Sequence, residues 1–265
     1  MLHDVCVGKT GTLTKGKMTV NRFHICDDQD VKNNDPEVNP PTYFNSRALD
    51  TSEDLKEIIR ESIIANTDVR IETNDEMCIY EPKGQPIEVC MIQFLMDNEE
   101  DIQNKFIARN QYSPKIVQLP FCQNLKRKVV VRRVQDRPEL VRIYVKGAPE
   151  YVIALCSQTL SPDVQPIPFQ ENDQLTVLQH IVSSNMAVDG LKCLSYAFKE
   201  IRIEDLDQLM STYDLESEDF RTELENDLIY LATFGMDDPL RNDIQNAISY
   251  IRYGQLESAG EQLDN

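Results

Sequence analysis

The chain has 265 residues, 41% of them hydrophobic, and its 27 Lys and Arg face 45 Asp and Glu for a formal net charge of −18. That hydrophobic share is enough to build a core, and the length holds one large domain or a domain with part of another. The charge repels a nucleic-acid backbone and excludes nucleic acid as a partner, but it does not exclude a small anionic ligand that needs only a local cluster of cations. No apolar run approaches the roughly 20 residues of a membrane-spanning helix. Met1 to Thr14 lacks a basic start followed by an apolar stretch, so no secretory leader is expected. The seven cysteines are odd in number and scattered, with no Cys-x-x-Cys pair. They predict neither a zinc site nor a disulfide-linked partner, and read as buried thiols in a reducing compartment.

In chain order, Asp4–Val7 reads as the end of a strand, followed by a turn over Gly8–Thr14 and a strand over Met18–Ile25. Cys26 to Ala48 is polar and unpatterned, and reads as a loop. Thr51–Ala65 predicts an amphipathic helix capped by Thr51, with Leu55, Ile58, Ile59 and Ile63 on one face. A helix over Pro86–Met96 starts on proline, which suits the first helical position. The β-branched runs Lys115–Leu119, Lys128–Val134 and Leu140–Val145 predict an antiparallel meander. Helices over Ala148–Cys156 and Asp173–Val188, a strand over Cys193–Ile201 and an acidic helical stretch over Glu204–Asp227 follow. Leu228–Met236 returns to strand, and Arg241–Arg252 closes as a helix. The fold class is α/β (α+β), an antiparallel sheet flanked by helices, with two short terminal pieces. Val5–Val7 and Ile229–Phe234 are expected to lack neighbours on their edges.

Six segments carry candidate chemistry. Gly8-Lys9-Thr10-Gly11-Thr12-Leu13-Thr14 is not a P-loop, because that motif needs a glycine at position 3 for its amides to wrap phosphates, and His3 stands there. Gly84-Gln85-Pro86-Ile87-Glu88 reads either as a ligand-facing acid or as a helix start with a favourably placed carboxylate. Pro120-Phe121, followed by Lys126, Arg127 and Lys128, reads as an aromatic with a basic partner, or as a core aromatic before a solvated basic strand. In Lys146-Gly147-Ala148-Pro149-Glu150, a strand-to-helix turn, Gly147 would admit a flat ring closely and Lys146 would supply charge. Met186 through Lys192 holds Gly190-Leu191-Lys192, otherwise a helix-ending glycine before a solvated lysine. Asp237-Asp238-Pro239-Leu240-Arg241 reads as a proline-fixed turn into a helix.

Together, in order and spacing, these segments resemble P-type cation-transporting ATPases, closest to plasma-membrane-type calcium pumps, over roughly residues 4–250. Lys9 through Thr14 match the family's phosphorylation motif Asp-Lys-Thr-Gly-Thr-Leu-Thr without interruption. The resemblance implies a catalytic turn containing Lys9, Thr10 and Thr12, with the Thr10 carbonyl as a magnesium ligand. It implies that Phe121 stacks on adenine, that Glu88 accepts from the adenine amino group, and that Lys146 and Gly147 line the base pocket. Lys126 and Lys192 would meet the phosphates, Lys192 standing where the family usually has arginine and lacking its bidentate fork. Asp238, Pro239 and Arg241 would form the hinge between domains. ATP and Mg2+ follow as ligands, with a membrane domain and a calcium ion as partners in the full-length family. The family is integral to the membrane, and this chain, without a transmembrane segment, would face the cytosol.

The departures matter as much. Position 8 should hold the aspartate that attacks the γ-phosphate, and Gly8 stands there. An acyl phosphate needs a carboxylate nucleophile, so no phosphoenzyme is expected. After Ile248 neither Thr-Gly-Asp nor the magnesium-holding Gly-Asp-Gly-x-Asn-Asp follows, which leaves Mg2+ without those ligands. Residues 1–19 and 237–265 are expected to be pieces of an incomplete HAD-like parallel α/β phosphorylation domain, and residues 20–236 a nucleotide-binding domain. The expected function is the ATP-binding cytosolic portion of a P-type calcium-transporting ATPase, unable by itself to form a phosphoenzyme or move ions. The alternative is a nucleotide-free interaction protein that binds basic partners through the acidic stretches Glu204–Asp227 and Asp27–Asn45.

Overall fold

A computed structural model describes residues 6–25, 51–74, 79–99, 101–161 and 163–253. Strand β1 (Thr19–Ile25) precedes helix α1 (Glu53–Ala65), the hairpin β2 (Arg70–Asn74) and β3 (Ile79–Lys83), and helices α2 (Pro86–Asn98) and α3 (Ile102–Tyr112). A meander follows: β4 (Lys115–Cys122), β5 (Arg127–Val134) and β6 (Arg137–Gly147). The short helix α4 (Pro149–Val152), strands β7 (Cys156–Leu160) and β8 (Pro166–Pro168), and helix α5 (Glu171–Thr176, continued as a π-helix over Val177–Met186) lead to β9 (Lys192–Arg202). Helices α6 (Ile203–Thr212) and α7 (Glu218–Glu225), strand β10 (Leu228–Asp237) and helix α8 (Ile244–Tyr253) complete the order.

Eight strands form one sheet in the order β4-β5-β6-β9-β10-β7-β8, with β1 also on β10. Helices cover both faces. On one side α1 and α2 bring Ile59, Ile63, Met91, Ile92 and Leu95, and α3 brings Ile102 and Phe106, into one core with Phe23 and Phe234. Three rings, Phe23, Phe94 and Phe234, meet there with centroids 5.7–6.0 Å apart, close enough for favourable ring contacts. On the other side α4 to α7 bury Val152, Ile181, Leu206 and Phe220 against Val129, Val131, Ile143 and Val145. Each such side chain contributes about 1.5–3 kcal/mol by leaving water.

The period of two in β5 and β6 sorts these strands' residues between the layers. Val129, Val131, Val141, Ile143 and Val145 serve the second core, while Lys128, Arg132, Arg142 and Lys146 are buried and point the other way, under α1 to α3. Every one of these four cations meets oxygen. Arg132 donates to the Ala65 carbonyl (2.9 Å), Arg142 pairs with Glu61 and Glu200, Lys128 with Asp68, and Lys146 with Glu88.

Several expectations change. The sheet is mixed, because β10 and β7 run parallel (Leu228↔Cys156, Ile229↔Gln158) while the other pairings are antiparallel. Ile229–Phe234 has no open edge: it lies in the middle of β10, between β9 on one side and β7 and β1 on the other. Ser52, and not Thr51, caps α1 by accepting from the Leu55 N–H at 3.4 Å. The acidic stretch splits into α6 and α7, whose apolar faces are buried through Leu206, Phe220 and Leu224. Asp4 and Val5, the loop over Cys26–Ala48, Asp27–Asn45 and the last dozen residues lie outside the described residues, and Cys6 and Val7 are not in a strand.

Candidate functional site

Sheet register brings the sequence motifs to one end of the sheet. Cys122 pairs with Arg127, Arg127 with Gly147, Gly147 with Ser195, and Ser195 with Thr233. One step further out, Lys192 lies opposite Met236, which lies opposite Val20. The turn after Phe121, the Lys146-Gly147 pair, Lys192 and the Asp238-Pro239 turn therefore all sit at the same end.

At its centre is a buried charge cluster. Pro86 opens α2 and so places Glu88 in its first turn, where the amide dipoles favour a negative charge. Lys146 Nζ donates to Glu88 Oε1 at 2.5 Å, and Thr67 Oγ1 (3.3 Å) and the Asp68 N–H (3.0 Å) donate to Oε2. Lys128 stands directly opposite Lys146 across the strands and donates to Asp68 Oδ2 at 2.5 Å. Asn66 ties the same segment to the sheet by donating to the Tyr144 (3.0 Å) and Lys128 (3.3 Å) carbonyls. Burial pushes the Lys146 pKa down to about 8, helped by the Lys128 charge and opposed by Glu88. Burial works against ionisation of Glu88, but the Lys146 ammonium and the Asp68 N–H outweigh it and hold the carboxyl below its usual range. Asp68 is likewise lowered: Lys128 outweighs its partial burial.

Gly147 has a reason inside the fold. A Cβ there would stand 2.4 Å from the Lys126 carbonyl oxygen and 2.6 Å from Arg127 Cβ, so the turn that leads into β5 itself requires glycine at this position. The Ala148 N–H seals that contact at 2.9 Å. Lys126 itself takes a left-handed φ of +50° and its ammonium donates to Gln123 Oε1 at 3.1 Å. Arg127 is committed to the fully buried Glu225, which Arg221 also holds at 2.6 Å. Phe121 is 51% exposed, which rules out the core-aromatic reading. Lys192 is exposed at the start of β9.

The N-terminal motif meets the proposed hinge. Thr14 Oγ1 donates to Asp238 Oδ2 at 2.6 Å, and the Lys15 N–H to the Pro239 carbonyl at 2.9 Å. The Arg241 guanidinium clamps the turn through the Gly11 (2.7 Å) and Thr14 (3.2 Å) carbonyls. Gly11, with φ +79°, needs glycine. Gly8 does not: its φ is −67°, and a Cβ would meet only Thr12 Oγ1, at 3.6 Å. Gly8, Lys9, Thr10 and Thr12 are exposed.

Asp68 and Thr67 escaped the sequence reading, and Lys128 was there a solvated strand residue in the core-aromatic alternative; in the fold it is 4% exposed. A cleft of about 610 Å³ lies elsewhere, between α1, α3 and the β5–β6 turn, and none of the motif residues lines it.

An exposed aromatic, a basic turn and a buried carboxylate–lysine pair thus lie together at one end of a sheet covered by helices on both faces. The family described as P-type ATPase, cytoplasmic domain N, matches residues 54–243, and the chain belongs to the P-type ATPases. It is 25% identical over 244 residues to plasma membrane calcium-transporting ATPase 1 of Gallus gallus, covering 92% of this chain and 18% of that protein. Plasma membrane calcium-transporting ATPase 4 of Homo sapiens is 25% identical over 248 residues, with the same coverage. Calcium-transporting ATPase 3, plasma membrane-type, of Oryza sativa subsp. japonica is 28% identical over 198 residues, 74% of this chain and 18% of that protein. The chain thus spans just under a fifth of the length of these relatives. Among the described residues no helix is long and apolar enough to cross a membrane.

Proposed function

We propose that this chain is the ATP-binding part of a calcium-transporting P-type ATPase. Adenine lies against Phe121, near Glu88 and Lys146, and the phosphates extend toward Lys126 and Lys192. The observation that carries this reading is the register that aligns Cys122, Arg127, Gly147 and Ser195 across four strands, with an exposed Phe121 beside them. An exposed phenylalanine offers stacking area, and the neighbouring lysines offer the local positive charge that the acidic chain otherwise lacks. The relatives named above are calcium-transporting, which supplies the ion in this reading.

Residues 1–19 and 237–265 belong, on this reading, to a HAD-like phosphorylation domain that the two chain ends enter side by side, and Asp238, Pro239 and Arg241 are its hinge. With Gly8 at the acceptor position there is no carboxylate to take the γ-phosphate, so this chain binds nucleotide without forming a phosphoenzyme. Mg2+ is a ligand of the family, and on this reading Thr10 would offer it a backbone carbonyl. No step is assigned to the ion.

Calorimetric titration with ATP tests the reading, with Phe121→Ala and Lys146→Ala as controls. A Kd near about 1 mM corresponds to about 4 kcal/mol, fitting a half-open site. Saturable binding weakened by both substitutions supports the proposal. A folded chain that binds no ATP favours the nucleotide-free interaction protein instead.

A further inference from the structure

The cluster formed by Asp68, Glu88, Lys128 and Lys146 holds one more cation than the nucleotide reading uses. Lys128 and Lys146 are direct cross-strand partners with both side chains on one sheet face, an arrangement in which like charges repel. Both are buried, at 4% and 6% exposure, so water does little to screen them. Both also converge on one atom: Glu88 Oε1 is 2.5 Å from Lys146 Nζ and 3.8 Å from Lys128 Nζ. The other oxygen, Oε2, already accepts from Thr67 and Asp68. A ligand N–H directed at Glu88 therefore meets three donors in place and a second ammonium beside them.

Asp68 is what draws Lys128 aside, at 2.5 Å, and the Asp68 side chain is 61% exposed while the other three are 10% or less. It is the one member of the cluster with solvent to move into. The four charges sum to zero with Lys128 in place, so the cluster is satisfied without any ligand.

We propose that Lys128 is a built-in competitor for the ligand: a base reaches Glu88 only when Lys128 turns away with Asp68, so that this lysine sets the affinity of the nucleotide site. The proposal rests on the nucleotide reading given above and adds to it the residue that limits occupancy. The device is local, since Lys128 moves outward still paired with the exposed Asp68 and leaves the Lys146–Glu88 pair intact.

The test is a calorimetric ATP titration of the whole chain and of two variants, Lys128→Met and Asp68→Asn, with folding checked by circular dichroism. Lys128→Met is expected to bind ATP about fivefold tighter or more, roughly 1 kcal/mol. Asp68→Asn leaves Lys128 only Glu88 as a carboxylate, and is expected to bind about threefold weaker. If the unaltered chain binds ATP and Lys128→Met binds equally or more weakly, the competitor role is overturned and the nucleotide reading stands. If neither chain binds, both are overturned. Should Lys128→Met fail to fold, Asp68→Asn decides alone, because that side chain is exposed; unchanged or tighter binding there overturns the proposal.

Discussion

Lys146 and Glu88 are 58 residues apart in sequence, yet the lysine ammonium meets the carboxylate at 2.5 Å with both side chains buried. Breaking such a pair from one side leaves an uncompensated buried charge, which costs about 3–5 kcal/mol. Glu88→Gln is therefore expected to lower stability by several kcal/mol in urea unfolding. The double variant Glu88→Gln with Lys146→Met should recover a good part of that loss, because no orphan charge remains.

The same pair predicts a pH dependence. Glu88 is lowered in the fold, so the unfolded chain binds more protons just below the ordinary carboxylate range. Its contribution is present above about pH 4.5 and is lost as pH falls through the folded pKa. Lys146 is lowered to about 8, so above that pH the unfolded chain again holds more protons and stability rises toward the ordinary lysine pKa of about 10.4. Unfolding midpoints followed across both windows should show both rises, the acid one missing in Glu88→Gln and the alkaline one in Lys146→Met.

Gly147→Ala places a methyl 2.4 Å from the Lys126 carbonyl oxygen, a backbone atom that cannot step aside cheaply. Overpacking of this kind costs about 1–3 kcal/mol. Thermal unfolding should show the loss, and amide exchange should locate it in the Cys122–Arg127 turn.

Gly8→Asp is expected to change stability by less than about 0.5 kcal/mol, since the backbone there is ordinary and the nearest atom to a Cβ is 3.6 Å away. The unaltered chain is expected to give no hydroxylamine-sensitive label from γ-labelled ATP. Such a label would contradict the role assigned to Gly8.

Thr14→Val removes the 2.6 Å hydrogen bond to Asp238, whose other oxygen, Oδ1, is buried without a hydrogen-bond partner. Loss of that contact should cost about 1–3 kcal/mol and speed amide exchange where β1 and β10 meet, around Thr19 and Asp237. Unchanged exchange there would separate the terminal motif from the stability of the sheet.

The sequence carried some of this openly. Leu55, Ile59 and Ile63 recur at helical spacing, so α1 is visible, with only its cap displaced from Thr51 to Ser52. Strands β7 and β8 are short, and β8 is Pro-Ile-Pro; α3 buries little beyond Ile102 and Phe106, so its period is faint. The functional motifs were legible as runs of residues, but their convergence was not, because it depends on strand register. Lys128 looked like one more charge on a basic strand. Its burial depends on Asp68, 60 residues away, and no local pattern announces that partner.

The most direct measurement is an ATP titration followed by NMR of the amide-labelled chain, repeated with Phe121→Ala. Phe121 is half exposed, so this substitution should leave the fold intact while removing the stacking surface. The account predicts shifts that saturate and cluster at Phe121–Lys126, Lys146–Gly147 and Lys192, and that weaken severalfold in the variant. Shifts centred instead on the cleft between α1, α3 and the β5–β6 turn, or no shifts from a folded chain, would contradict it.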